Sequence, residues 1–183
     1  LKQAQRLLEE NKLRKVYSPE FPDGKPGSLK APLSPFMADY SFSHSNHHTW
    51  FKTITRLRGY YDIFLISPGG DVLYSMFKEQ DFATNLRVGP WSKTGLAQVF
   101  KEIVENPTLD HEAYSDFQAY EPSNNAPAAF FARPVFSKGR LAGILALQMP
   151  ISRINEVMQD TSGMGKTGET YAVGPGYLMH SDS

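Results

Sequence analysis

The chain has 183 residues, which suits one globular domain with some residues to spare. Lys and Arg total 19 and Asp and Glu total 19, so the chain lacks the basic excess of a broad nucleic-acid surface. There is no cysteine, which excludes thiol catalysis, disulfides and cysteine-ligated metals. Hydrophobic residues make up 40%, enough for a core, but no run approaches the ~20 apolar residues of a membrane span.

The first two segments are predicted to be a helix and a connector. Residues 1–17 are charged and helix-prone, and Leu1, Ala4 and Leu8 can share one thin apolar stripe. So thin a stripe buries little apolar surface by itself. A helix that packs against a partner helix and an unpaired surface helix are therefore equally good interpretations. Residues 18–45 are interpreted as a connector, because repeated prolines exclude helix from most of it.

Residues 46–160 are interpreted as one folded module that opens with a helix over 46–58. Ser45 or Asn46 can cap this helix. Four apolar side chains fall on one face by helical spacing, which predicts the face that packs on the module. These four are Trp50, Phe51, Ile54 and Leu57.

Five strand-like runs and two more helices are predicted in the module. The clearest helix covers 93–105, with an apolar stripe made by Leu96, Val99, Phe100, Ile103 and Val104. The run 141–149 is nearly all apolar, which predicts a strand at the sheet centre. The strands are predicted at 60–66, 71–77, 113–120, 128–136 and 141–149, and a closing helix at 151–160. This order predicts an α+β fold with an antiparallel five-stranded sheet and flanking helices.

One short pattern occurs twice. Residues 64–75 and 171–181 each contain an apolar run, a Pro-Gly turn, a second apolar run and a closing serine, which is typical of a β-hairpin. The repeat predicts that residues 161–183 are a linker and the first hairpin of a second, truncated module. Chance recurrence of a common turn is the alternative.

A phosphate-binding loop is not predicted. Gly165-Lys166-Thr167 matches the end of the P-loop motif, but Asp160 stands where its first glycine is required. The motif also follows a predicted helix, whereas a P-loop follows a strand and opens a helix. A glycine-rich link between modules is the better interpretation.

The remaining motifs give no support for an enzyme. His44, His47 and His48 cluster at the predicted helix start without a patterned carboxylate or thiol, which favours a solvated helix start over a metal site. No nucleophile elbow and no HExxH motif occurs. We therefore predict no catalytic residue, no cofactor and no bound metal.

Polar and aromatic side chains converge on the stretch between the second strand and the long helix. Arg87 offers a planar fork for a carboxylate or phosphate, and Trp91 offers a flat apolar wall. Two-residue alternation places Tyr114 and Tyr120 on one strand face and Phe117 on the other. We predict a pocket over the sheet, roofed by residues 82–93, although Arg87 could equally make a surface salt bridge. The predicted ligand-binding residues are Phe82, Arg87, Trp91, Lys93, Tyr114, Phe117 and Gln148.

These features resemble a known family. Residues 59–66, the Pro-Gly hairpin and residues 74–79 resemble the opening of Cache (PDC, extracytoplasmic PAS-like) sensor modules. Residues 128–147 are similar to the three-strand finish of such a module. Residues 163–175 are similar to the join between the two modules of a tandem Cache domain.

The resemblance implies the ligand-sensing ectodomain of a bacterial transmembrane receptor. The whole receptor would be a chemotaxis receptor, a sensor histidine kinase or a cyclase in the inner membrane, with this domain facing the periplasm or exterior. Residues 1–17 would be the helix that leaves the membrane, and two copies would pair through it as a homodimer. The chain begins at Leu1 rather than at a methionine, so we expect a trimmed piece of that receptor. A structural dimerisation module that binds no ligand is the alternative.

The resemblance also bears on the ligand. Members that bind amino acids use an arginine and aromatics after the second strand and an aspartate late in the last strand. Arg87 and Trp91 match loosely, Phe82 and Ser92 replace common aromatic positions, and Gln148 stands near the aspartate position. Without that carboxylate a ligand ammonium loses its charge partner. An organic acid or another small metabolite is therefore at least as good a prediction.

Overall fold

A computed structural model describes residues 11–25 and 34–160, together with positions 162, 163, 170 and 173. Helix α1 is described over residues 11–16. The remaining elements are α2 (Pro35–Arg58), β1 (Asp62–Ile66), β2 (Val72–Ser75), α3 (Gly95–Glu105), β3 (Ala113–Tyr120), β4 (Ala126–Ser137), β5 (Arg140–Pro150) and α4 (Ser152–Met158). Among the described residues, no helix combines the length and hydropathy needed to cross a bilayer.

The five strands form one antiparallel sheet in the order β2-β1-β5-β4-β3. The apolar strand β5 lies at the centre, as its composition predicted. Gln148 on β5 is opposite Asp62 on β1 and opposite Phe130 on β4, so the three side chains share one face. The predicted α+β fold with an antiparallel five-stranded sheet is confirmed.

Helix α3 covers one face of this sheet, called the inner face below. The Thr94 side chain caps the helix by accepting a hydrogen bond from the Ala97 N–H. The apolar stripe of α3 is buried against the sheet, and each large side chain in it contributes about 1.5–3 kcal/mol. The buried stripe consists of Leu96, Val99, Phe100 and Ile103, all predicted from helical spacing, and it packs on sheet residues that include Phe64, Phe130 and Ile144.

Helix α2 begins earlier than predicted. The helix expected over 46–58 starts at Pro35, and residues assigned to the connector up to position 45 are therefore helical. Ser34 is the N-cap and accepts a hydrogen bond from the Met37 N–H. Proline is excluded from helix interiors but is well suited to the first helical position, where its missing N–H costs nothing. The end of the helix is close to the prediction, with Gly59 as a left-handed C-cap.

The predicted apolar face of α2 is only partly right: Phe51 and Ile54 are half-buried, and the Phe51 ring lies 4.9 Å from the Tyr74 ring. Trp50 and Leu57 are 59% and 67% exposed. The side of the helix that packs on the protein instead carries Met37, His44, His48 and Thr55. The reason is that α2 packs on aromatic rings: the His44 ring lies 4.5 Å from Tyr17 and 5.8 Å from Tyr74. Imidazole rings can stack there, so aliphatic spacing did not reveal the buried face.

The N-terminal residues dock on this side of the molecule. Leu13, Val16 and Tyr17 form a second buried cluster with Met37 of α2 and with Phe82. Phe82 is thus 1% exposed but packs on the N-terminal chain rather than lining a pocket over the sheet. The segment between β2 and α3 consequently contacts α1, α2 and the sheet.

The second copy of the hairpin pattern lies at 171–181, and the predicted linker and truncated module at 161–183 contain it. Apart from single positions, these residues lie outside the described part of the chain. The first copy is confirmed as a hairpin: β1 and β2 pair antiparallel across Pro68.

Gly95→Ala should destabilise the protein, although alanine favours helix over glycine by about 1 kcal/mol. A Cβ at this position would lie 2.6 Å from Ser115 Oγ and 3.1 Å from Phe130 Cδ2. Ser115 Oγ cannot turn away freely, because it accepts a hydrogen bond from the Phe130 N–H at 3.0 Å. We expect a loss of about 1–3 kcal/mol in the free energy of unfolding, measured by urea denaturation.

The control for this measurement is Gln98→Ala, at an exposed position of the same helix, which should change stability by less than about 0.5 kcal/mol. Unchanged or increased stability of Gly95→Ala would show that α3 does not approach the sheet this closely.

Candidate functional site

Buried polar side chains from four parts of the chain meet on the inner face, beneath the residues that follow β2. We call this group the interior polar cluster. All of its members are at most 3% exposed, which is uncommon for charged and amide side chains. The cluster consists of Asp62, Lys78, Asp81, Tyr120, Ser123 and Gln148.

Asp62 fixes the chain that leaves the first hairpin. Its Oδ1 accepts hydrogen bonds from the Met76 N–H and the Ile63 N–H, both at 2.6 Å, and its Oδ2 accepts from the Phe77 N–H at 3.3 Å. Burial, and then the nearby Asp81, raise the pKa of Asp62 well above its usual value, while the three backbone donors oppose this rise. The carboxyl thereby joins the start of β1 to the residues beyond β2.

Lys78 places a buried cation in the same region. Its backbone is left-handed, with φ of 57°, and its Nζ donates a hydrogen bond to the Ser75 carbonyl. The ammonium also lies 3.8 Å from the centre of the Tyr74 ring, a favourable cation–π contact. Burial lowers the pKa of Lys78 to about 7, although Asp62, Asp23 and Asp81 act in the opposite direction.

Two hydrogen-bond acceptors in the cluster lack a partner among the described residues. Asp81 Oδ2 accepts from the Tyr120 hydroxyl at 2.6 Å, and the backbone N–H groups of Phe82 and Asp81 act on the same carboxyl, but its buried Oδ1 has no partner with good hydrogen-bond geometry. Gln148 Nε2 donates to Ser123 Oγ at 3.1 Å, but its Oε1 is likewise buried and unpaired. Such groups cost stability unless they receive a donor. Each of the two acceptors therefore needs a donor from outside the described residues, and an ordered water or a bound molecule would supply it.

The predicted site residues are only partly brought together. Gln148 belongs to the interior polar cluster, and Phe82 lies 5.1 Å from the Lys78 ammonium. Trp91 is 8% exposed and belongs to the main hydrophobic core, which lies between α3 and the sheet. Its Nε1 donates to the Gln80 carbonyl at 3.1 Å. The indole therefore holds the segment closed instead of standing over open space.

Arg87 and Lys93 lie outside the cluster. Both are exposed, and Arg87 donates to the Pro68 carbonyl at 3.3 Å with its guanidinium 5.2 Å from the Phe100 ring. This position reflects the tight turn at Gly70, whose missing Cβ leaves room for the Arg87 stem. The arginine is thus a packing residue of the hairpin in this structure.

Tyr114 and Tyr120 do not share a strand face, so the predicted alternation along β3 is wrong. The β3–β4 register shifts between Ser115 and Gln118, which is a β-bulge. Tyr120 is buried on the inner face, whereas Tyr114 is 61% exposed with its ring 5.0 Å from Phe131. Phe117, inside the irregular stretch, is half-buried. An extra residue in a strand reverses every side chain beyond it.

Two histidines are also placed differently from the prediction. His44 and His48 are 6% and 3% exposed, so they are not a solvated helix start. Their rings stack at 4.4 Å, His48 Nδ1 lies 2.7 Å from the Tyr74 hydroxyl, and His48 Nε2 lies 3.2 Å from Asp23 Oδ1. Burial, followed by Lys78, lowers the pKa of His48 to about 4. In the described part of the chain no group of three or more candidate metal ligands occurs.

Sequence reasoning missed most of the interior polar cluster. Asp62 begins an apolar run, and Lys78 and Asp81 stand in a charged stretch that is typical of a surface loop. Neither pattern predicts burial. Tyr120 was predicted on one face with Tyr114, and the carboxylate that accepts from its hydroxyl could not be seen from spacing.

The fold is shared with solved bacterial sensor domains. The sensory domain of the Campylobacter jejuni chemoreceptor Tlp3 (CcmL) matches with a TM-score of 0.51 and 12% identity, over 97% of this chain and 64% of that chain. The ligand-binding domain of the Pseudomonas fluorescens chemoreceptor CtaA, in complex with L-serine, matches with a TM-score of 0.49 and 12% identity, over 98% and 63%. The Vibrio cholerae histidine kinase DctB sensor domain matches with a TM-score of 0.48 and 15% identity, over 87% and 61%.

The chain spans about three-fifths of the length of these solved domains. No family model and no curated protein matches the sequence. The Tlp3 comparison establishes the fold, which is that of a bacterial chemoreceptor sensory domain. This fold is consistent with the Cache (PDC) type of module that the sequence resembles.

Lowering the pH should reduce the stability that His44 contributes. Burial, and then Lys78 and His48, lower the pKa of His44 to about 3, whereas an unfolded histidine titrates near ~6.5. Between these values the unfolded chain binds a proton that the folded chain excludes. The contribution is therefore complete above pH ~6.5 and falls as the pH is lowered to 5, by at most ~1.4 kcal/mol per pH unit because solvent screening reduces the effect.

Urea denaturation at pH 7 and pH 5 checks this, with His44→Leu compared against the wild type. Burial raises the pKa of Asp81 to about 6, which gives the opposite pH dependence, so the difference between the two proteins isolates the histidine. The wild type should lose more stability than His44→Leu. His47→Leu, at an exposed position of the same helix, should keep the wild-type pH dependence. Equal pH dependence for wild type and His44→Leu would mean that His44 protonates without leaving its site.

Proposed function

We propose that this chain is the ligand-sensing domain of a bacterial transmembrane receptor and binds a small metabolite at the interior polar cluster. The observation that carries the proposal is the pair of unpaired acceptors, Asp81 Oδ1 and Gln148 Oε1, buried under one connecting segment. The shared fold with the Tlp3 sensory domain supports sensing over catalysis, because that neighbour is a chemoreceptor domain. Membrane anchoring, a periplasmic or exterior position and pairing through the N-terminal helix belong to the same proposal.

The cluster favours a ligand that carries N–H or O–H donors. Both unpaired atoms are acceptors. Gln148 stands near the position where amino-acid-binding members have an aspartate, and here the buried carboxyl is that of Asp81 instead. An organic acid would have to place its carboxylate beside the Lys78 ammonium, since Arg87 and Lys93 are exposed. The ligand class is therefore a small amine, amide or hydroxy compound in the first place, and an organic acid in the second.

The segment over the cluster also connects it to the helices. The Gln80 carbonyl accepts a hydrogen bond from Arg14 Nη2 at 2.8 Å, and Phe82 packs on Leu13 and Tyr17. Lys78 and Ala83 have φ of 57° and 56°, left-handed values that cost non-glycine residues about 1 kcal/mol each. A ligand that changes the position of this segment would therefore displace α1, with an effect limited to its differential affinity for the two positions.

A structural dimerisation module is the second candidate function. The observation that favours it is the closed inner face, where Trp91 and the α3 stripe already fill the space above the sheet. A module of this kind would have no ligand and would pair through its N-terminal helix. Ligand binding in solution separates the two candidates.

A thermal-shift screen of amines, amides, polyols, amino acids and organic acids tests the proposal. A ligand at 100 times its dissociation constant should stabilise the domain by about 2.7 kcal/mol. Gln148→Leu removes one acceptor and should abolish or strongly reduce the shift, whereas Gln98→Leu, the same change at an exposed position, should leave it intact. No shift with any compound class would favour the structural module.

Arg87→Ala distinguishes the two versions of the site. If the ligand lies at the interior polar cluster, the thermal shift should persist in Arg87→Ala, because the guanidinium is exposed and hydrogen-bonded to the Pro68 carbonyl. Loss of the shift in Arg87→Ala, with Gln148→Leu unaffected, would show an anionic ligand held by the loop, as the sequence predicted.

A further inference from the structure

A cavity lies outside the interior polar cluster, between the C-terminal half of α2 and the residues that flank the first hairpin. The cavity is partly open to solvent and has a volume of about 550 Å³, within the range of ~300–1,000 Å³ that is usual for small-molecule sites. Its walls differ in character: one is cationic and the other is aromatic. The residues that give it this character are Lys52, Arg56, Tyr60, Tyr61, Met76 and Phe77.

The cationic wall belongs to α2. Lys52 and Arg56 are four residues apart, so they project from the same side of the helix into the cavity. Lys52 Nζ lies 3.7 Å from Asp23 Oδ2, but both side chains are more than half exposed, and such a pair is weak. Among the acidic side chains that the structure describes, none is within ion-pair distance of Arg56.

The end of α2 does not cancel this positive charge. The last carbonyls of a helix carry partial negative charge and would repel an anion. Here the Thr55 carbonyl, at the cavity wall, accepts hydrogen bonds from the Gly59 N–H and from the Tyr60 N–H at 3.2 Å. Arg58 adds a further cation to the last turn.

The opposite wall is built from rings held in place. Tyr61 and Phe77 have ring centres 5.1 Å apart, and the Tyr61 hydroxyl donates to Glu79 Oε1 at 2.8 Å. Glu79 is held in turn, since its Oε2 accepts from the Ser123 hydroxyl at 2.7 Å. Fixed aromatic rings favour a flat apolar group that can stack on them.

We propose that this cavity is a second small-molecule site, which binds a carboxylate attached to a flat apolar body. Arg56 holds the carboxylate through two parallel N–H···O bonds, and Lys52 adds a point charge beside it. The apolar body lies against Tyr60, Tyr61 and Phe77. Because Tyr61 and Glu79 lead to Ser123 and so to Gln148, an occupant of this cavity contacts the hydrogen-bonded chain that ends at the interior polar cluster.

Phenylacetate is the probe for this site, and phenylacetamide is its uncharged control. Isothermal titration of the whole chain should give saturable binding of phenylacetate that weakens at high salt, and binding of phenylacetamide weaker by about tenfold or more. Arg56→Gln should weaken phenylacetate by about tenfold, and Arg56→Lys should recover part of that loss. Arg58→Gln, the next cation of α2 but outside the cavity, should bind like the wild type.

The variants are at exposed positions of one helix, so an unchanged melting temperature is the check that they fold. Absence of saturable binding, equal binding of the amide, or equal losses in Arg56→Gln and Arg58→Gln would each overturn the proposal. Loss of phenylacetate binding in Gln148→Leu, with Arg56→Gln unaffected, would place the probe in the interior polar cluster and would also overturn it.

Discussion

The Asp62 carboxylate is the contact on which the candidate site depends. It accepts the N–H groups of Met76 and Phe77 and so ties the beginning of β1 to the residues that leave β2. Those residues then turn over the inner face and carry Lys78 and Asp81 with them. A buried carboxyl group without such donors would leave its oxygens unsatisfied, at a cost of about 1–3 kcal/mol, so the Asp62 side chain and the N–H groups stabilise each other's position.

The inner face combines two kinds of interior. Under α3 it is aliphatic and aromatic, and burial there stabilises the fold in proportion to the apolar area removed from water. Under the segment after β2 it holds carboxyl, ammonium and amide groups, and burial raises the pKa of Asp62 while lowering that of Lys78. Both shifts reduce the charge of the cluster. Buried groups with such perturbed pKa values concentrate at functional sites.

The regular parts of the fold were predictable because their periods are local. Strand alternation and helical spacing gave the five strands, helix α3 and the central position of β5. The start of α2 was missed because Pro35 belongs equally to a proline-rich connector and to a first helical turn. The bulge between Ser115 and Gln118 has no sequence signal that alternation can use. Asp62 and Asp81 were missed because burial of a carboxylate depends on distant donors.

The Gln80 carbonyl accepts two hydrogen bonds, one from Arg14 Nη2 and one from Trp91 Nε1. The N-terminal helix and the main core therefore meet at a backbone atom, which every amino acid possesses. The side chain at position 80 is exposed, so the junction depends on the backbone there and not on the identity of that side chain. Replacing Arg14 or Trp91 would therefore remove one of the two donors, whereas a substitution at position 80 would leave the shared acceptor in place.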